Sequence, residues 1–158
     1  MLNFRSLYSG STGNSLFVES ENTKILIDSG VSLKKLTSAL SSNNISLNNI
    51  DAIVVTHEHS DHVQSLGMVS SKYDIPVYAN EKTWDAMSKQ KDRISDTNQK
   101  LFKSYEKFEI GDLEIDPFSI PHDAADPCGF NIINNNDKIS IATDIGHMTN
   151  SIINKLDG

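Results

Sequence analysis

The chain has 158 residues, 37% hydrophobic and 22% charged, which suits one domain around a single sizeable core. No apolar run approaches the ~20 residues of a membrane span, and Met1 to Arg5 lack a basic region leading into an apolar stretch, so neither a membrane protein nor a signal peptide is expected. The net charge of −7 argues against bulk attraction to nucleic acid, and Cys128, the only cysteine, allows no internal disulfide and fits a reducing, cytoplasmic setting.

In chain order, Leu2 to Leu7 alternates loosely and predicts a first strand. Ser9-Gly10-Ser11-Thr12-Gly13-Asn14-Ser15 is a turn of small polar residues. Leu16–Glu19 and Lys24–Asp28 predict a hairpin. Ser32 should cap a helix that carries Leu33, Leu36 and Leu40 on one face. Asp51–Thr56, apolar and β-branched without alternation, predicts a buried strand. His62–Lys72 reads as one helix with Val63, Leu66 and Val69 inward, followed by a strand at Ile75–Tyr78 and a helix capped by Asn80. Further strands are expected over Lys103–Ile110, Leu113–Ile120, Gly129–Ile133 and Lys138–Ala142, and Thr149 should cap a last helix. Strands and helices in mixture predict an α/β fold. Seven basic residues lie between Lys82 and Lys107, but interspersed acids make this a solvated, mixed-charge face rather than a phosphate-binding stripe. Tyr78, Trp84 and Tyr105 are expected to serve in packing, not in base stacking.

The chemistry concentrates in Thr56-His57-Glu58-His59-Ser60-Asp61-His62, which directly follows the buried strand. Sheets place ligand groups at strand ends because the sheet fixes the loop. His57 and His59, two apart, point to one side of an extended backbone and can share a cation. Asp61 and His62 follow as the chain turns into a helix and could hold a second cation, pointing away from the first pair. Imidazole and carboxylate ligands suit zinc; manganese and iron also accept them. The helical zincin pattern is excluded, because position 61 is aspartate rather than histidine. Two further candidates end apolar strands: His122, to complete a first site with His57 and His59, and Asp144, to bridge it to a second site of Asp61 and His62. Asp28 also ends a strand, where it could orient a ligand histidine or serve merely as a turn residue.

These segments resemble the HxHxDH signature of the metallo-β-lactamase fold hydrolases, with Asp28, His122 and Asp144 in that superfamily's order. Ser9–Ser15, Leu26-Ile27-Asp28-Ser29-Gly30 and Pro121-His122-Asp123-Ala124-Ala125-Asp126-Pro127 resemble the YycJ-like (WalJ-like) branch. The resemblance spans the whole chain as one domain, residues 1–158. It implies an αββα sandwich with metals at the edge between two sheets, and a dinuclear phosphodiesterase with nuclease activity on DNA ends. It also implies a late histidine beyond Asp144. His147 reads as a cleft-rim residue instead, so the chain is expected to be truncated at its C-terminal end and to expose an apolar face.

The expected reaction is attack on phosphorus by hydroxide held between two divalent metal ions, with Asp61 and Asp144 as the catalytic carboxylates. Ser60 lacks a free histidine to act as its base. One alternative is acyl hydrolysis of a thioester, lactone or β-lactam at the same centre; against a secreted zinc β-lactamase, Asp144 stands where those enzymes use cysteine, and Cys128 reads as a buried, inert thiol. The other is a metal-binding fragment without catalysis. The expected partner is nucleic acid or another phosphodiester.

Overall fold

The computed structural model describes residues 1–143, arranged as two β-sheets with helices against one of them. The first sheet has the order β1 (Asn3–Tyr8), β2 (Ser15–Glu19), β3 (Lys24–Ile27), β4 (Ala52–Val54), β5 (Val77–Ala79), β6 (Gln99–Leu101). Its first three strands are antiparallel neighbours, and β3 through β6 run parallel. The second sheet is antiparallel: β7 (Phe108–Ile110), β8 (Leu113–Ser119), β9 (Cys128–Asn134) and β10 (Asp137–Ile141).

Side-chain alternation divides the core in two. Phe17, Leu26, Ile53 and Val77 face α1 (Leu33–Ser42) and the helical layer, with Leu36 and Leu40 packed against them. Their strand neighbours Val18, Ile25, Ile27 and Val54 face the second sheet, where they meet Leu113, Ile115, Phe130 and Ile132. The central parallel strands β3 and β4 are therefore apolar on both faces, as a sheet covered on both sides requires. Ser32 caps α1 by accepting the Lys35 amide at 3.2 Å, and Asn80 caps α4 (Glu81–Ala86) by accepting the Thr83 amide at 2.9 Å. The outer face of the second sheet carries Glu114, Asp116, Asn131 and Ser140 together with Ile133 and with Phe118, which packs in a small separate cluster with Ile120 and Ala142.

Two predicted elements differ. The single helix over His62–Lys72 is broken into α2 (Ser60–Val63) and α3 (Leu66–Tyr73). A continuous helix would bond the Ser65 amide to the Asp61 carbonyl. That carbonyl accepts the Asn14 amide at 2.8 Å instead, and the Ser65 amide goes to the Ser29 carbonyl at 3.0 Å. The helix is interrupted because two other loops satisfy its backbone groups. The strand expected over Lys103–Ile110 is confined to β7. Its first residues cross between the sheets through a turn closed by the Glu106 amide on the Lys103 carbonyl, and a polar edge strand, β6, precedes them. A short α5 (Ser88–Lys91) follows α4. Thr149, Asp144 and His147 lie outside the described residues.

Candidate metal centre

β4 ends at Val54, and the chain leaves it through Val55 and Thr56 into His57, His59 and α2. β8 ends at Ser119, and the loop that follows carries His122. These two strand ends, one from each sheet, bring His57, His59 and His122 together. One ligand atom from each lies within 4.8 Å of the others. The His59 Nδ1 to His122 Nε2 distance is 3.3 Å. His57 is fully buried while His59 and His122 are half-buried, so the cluster opens on one side. Three imidazoles with one open side form a donor set that suits a single divalent cation with positions left for water and substrate.

Burial pushes the His57 imidazole down to about 4, with His62, His59 and His122 adding to that effect and Asp28 opposing it. His57 is therefore neutral at neutral pH, the form that binds a metal. Its Nδ1 lies 2.9 Å from the Thr56 hydroxyl, which donates to Asp28 Oδ2 at 2.7 Å. A hydroxyl has one proton, so Thr56 Oγ1 accepts from the His57 Nδ1–H, leaving Nε2 of that ring as the lone-pair nitrogen.

Asp28 is the hub of the buried half. Its Oδ1 accepts the Thr56 amide at 2.8 Å, and its Oδ2 accepts His62 Nδ1 at 2.6 Å. The carboxylate thereby fixes the tautomer of His62. Asp28 adopts φ 66°, a left-handed conformation, and the Asp28 amide and carbonyl are held by the Val54 carbonyl and the Ser15 hydroxyl. His62 is fully buried, with Nε2 3.7 Å from Asp61 Oδ2, and Asp61 is partly exposed. The His57 and His62 ring centroids are 4.1 Å apart. His62 therefore abuts the first histidine instead of pointing away from it, because Asp28 pulls its ring inward. Asp61 and His62 are adjacent to the three-histidine cluster but not within it.

Sequence reasoning gave no role to four residues that build this site. Asn14 donates from Nδ2 toward Asp61 Oδ2 at 3.3 Å and His62 Nε2 at 3.2 Å. Gly30 passes so near the Asp61 carbonyl that a Cβ would lie 1.8 Å from it. Thr56 links Asp28 to His57, and Glu58 accepts the Ala125 amide at 3.0 Å. All four stand inside segments that carry the resemblance, which was the available signal; their contacts were not legible. Cys128 is fully buried, and burial raises its thiol to about 11, so it is an inert group. Trp84 is buried, with Nε1 donating to the Lys100 carbonyl, and Tyr78 stacks on Phe108 at 5.6 Å. Tyr105, by contrast, is 83% exposed and does not pack.

Two facing sheets with an imidazole cluster at their strand ends define a metallo-β-lactamase-type fold. The chain belongs to the beta-lactamase superfamily domain family, which it matches over residues 23–158. It is 40% identical over 157 residues to exodeoxyribonuclease YycJ of Bacillus anthracis, covering 99% of this chain and 60% of that protein. It is 37% identical over 157 residues to exodeoxyribonuclease WalJ of Streptococcus pneumoniae, covering 96% and 58%. The chain thus spans about three fifths of the length of these curated relatives. Among solved structures, the Rm3 metallo-beta-lactamase superposes with a TM-score of 0.69 over 87% of this chain and 57% of its own, at 15% identity, a likeness of fold alone. No helix among the described residues is long and apolar enough to cross a membrane.

Proposed function

We propose that this chain carries the metal-holding part of a dinuclear hydrolase that cleaves phosphodiesters, acting as an exonuclease on DNA ends. The observation that carries the reading is the cluster of His57, His59 and His122, drawn from both sheets with one ligand atom of each within 4.8 Å of the others. The phosphodiester half of the reading is supported by the two relatives named as exodeoxyribonucleases, matched over nearly all of this chain.

His57, His59 and His122 would hold one cation, each through one ring nitrogen. Asp61 and His62 offer the second position, with Asp144 assigned as the carboxylate between them. Zinc suits this donor set, and manganese and iron are compatible with it. Divalent ions bound there would supply Lewis acidity that makes water acidic and offsets charge on the phosphoryl oxygens. The protein's own part is to fix the ligands. Asp28 keeps the proton of His62 on Nδ1, and Thr56 does so for His57, so each ring keeps Nε2 as its lone-pair nitrogen. Asp61, partly exposed, can accept a hydrogen bond from the attacking water on a carboxylate oxygen. Among the described residues every imidazole is assigned to a metal, which favours direct attack by water over a serine-bound covalent intermediate. A cytoplasmic setting fits the single, buried thiol.

Metal content by elemental analysis, paired with hydrolysis of end-labelled linear DNA, tests this. Near two equivalents of metal, a loss in His59→Ala and Asp61→Ala, and mononucleotide release from DNA ends are expected. Unchanged metal content in both variants would overturn the ligand assignment. Turnover of thioesters or lactones with none of DNA would move the substrate to the acyl class.

A further inference from the structure

The site is assembled from two separate sheets, and something must hold its two loops in register. Among the described residues, the tip of the second-sheet loop, residues 122–125, is joined by hydrogen bonds to the first-sheet loop in only two ways. One is the contact of His122 Nε2 with His59 Nδ1 at 3.3 Å. The other is the Ala125 amide, which donates to both oxygens of the Glu58 carboxylate, at 3.0 and 3.3 Å. The remaining ties lie lower. Ile120 N bonds Pro127 O, Cys128 N bonds Thr56 O, and Asp126 is held by Asn80 and Ser104. These close the base of the loop and leave the direction of its tip open.

The two tip contacts differ in one respect. When His59 and His122 give their lone pairs to a cation, those two nitrogens no longer bond to each other. The Glu58 contact uses neither, so it persists with the site filled or empty. Glu58 also lies between His57 and His59 in sequence, so its backbone moves with both. A charged acceptor for a backbone amide is among the stronger hydrogen bonds available at a half-exposed position.

We propose that Glu58 is a positioning residue. Its carboxylate, by capturing the Ala125 amide, clamps the His122 loop of the second sheet onto the first-sheet loop and so sets the spacing of the three histidines. The inference rests on the reading that these histidines hold a metal. Glu58 itself donates nothing to the cation and touches no substrate in this scheme; it acts through His122.

The test uses the whole chain with Co²⁺ as probe, whose visible absorption reports the number and geometry of its ligands, together with amide hydrogen exchange at Ala125. Glu58→Ala is expected to weaken Co²⁺ binding 10- to 100-fold, the range seen when groups supporting metal ligands are removed. Its cobalt spectrum should shift toward that of His122→Ala, and Ala125 exchange should accelerate. Glu58→Gln keeps an oxygen acceptor and should stay within about threefold of the parent, a rescue that a loss of packing would not give. In a His122→Ala background, Glu58→Ala should cost nothing further, since its effect passes through that ring. Parental cobalt affinity and spectrum in Glu58→Ala would overturn the proposal, as would an equal loss with and without His122. If Glu58→Ala does not fold, Glu58→Asp, one methylene too short, carries the same expectations in weaker form. Failure of the metal reading looks different: no cobalt would bind the parent, while Ala125 exchange would still respond to Glu58.

Discussion

The two halves of the site are built on opposite principles. Asp28, Thr56, His57 and His62 form a buried network in which every ring is tied to a carboxylate or hydroxyl. His59 and His122 stand half-exposed and meet only where two sheets approach each other. The first half is part of the core, so its geometry is enforced by the same interactions that stabilise the fold. The second half lies outside the fully buried core, so its geometry depends on local anchors. A metal centre made this way has one rigid wall and one adjustable wall, and substitutions should separate them.

The largest effect is expected at Gly30. A methyl group there would collide with the Asp61 carbonyl at 1.8 Å and with the Asn14 carbonyl at 2.8 Å, both backbone atoms. Gly30→Ala should therefore cost about 4 kcal/mol or more, read as a large drop in the urea midpoint or as a chain that fails to fold. Little change would show that the loops of the rigid wall slide freely. Asp28→Ala should follow, at about 3–5 kcal/mol, because it strips the acceptors from the Thr56 amide, the Thr56 hydroxyl and His62 Nδ1 in a buried site. Asp28→Asn should lose less stability but, on the proposed dinuclear reading, most of the affinity for a second cation, since its amide cannot fix the His62 tautomer in the same way.

Acid should act on the same wall. The His57 imidazole lies near 4 in the folded chain against 6.5 when unfolded, so its contribution to stability is complete above 6.5 and is lost as pH falls toward 4. In chelator-treated protein this should amount to roughly 3 kcal/mol at most. Urea midpoints at pH 7.5, 6 and 5 would show it, and His57→Asn should flatten the dependence. On the adjustable wall, His122→Ala should remove the first cation yet change the stability of the metal-free chain by less than about 1 kcal/mol. A larger loss would mean that both walls belong to the core. The smallest effect is expected at Cys128, whose buried thiol, raised to about 11, should resist alkylation in the native chain and react only in denaturant.

Much of this was legible in the sequence for identifiable reasons. The buried strand Asp51–Thr56 stood out because a parallel strand covered on both faces is apolar throughout, and the structure places β4 inside it. The His57–His62 cluster stood out because three histidines and an aspartate in six residues directly follow such a strand. The helix caps at Ser32 and Asn80 could be read because capping is local. The break between α2 and α3 could not: it depends on Asn14 and Ser29, which reach Asp61 and Ser65 from far along the chain. The polar edge strand β6 left no hydrophobic pattern to detect.

What the sequence determined by itself is therefore the chemistry and the local order: which residues can ligate a metal, which strands deliver them, and which superfamily the pattern belongs to. What only the tertiary structure decided is which of these side chains meet. His62 was drawn inward by Asp28 against His57, and His122 was carried by the other sheet to His59, because both positions are set by contacts between segments distant in sequence. Periodicity and spacing describe a chain's neighbours along itself. The spacing of a metal site is fixed by how two sheets pack, and that is a property of the folded core.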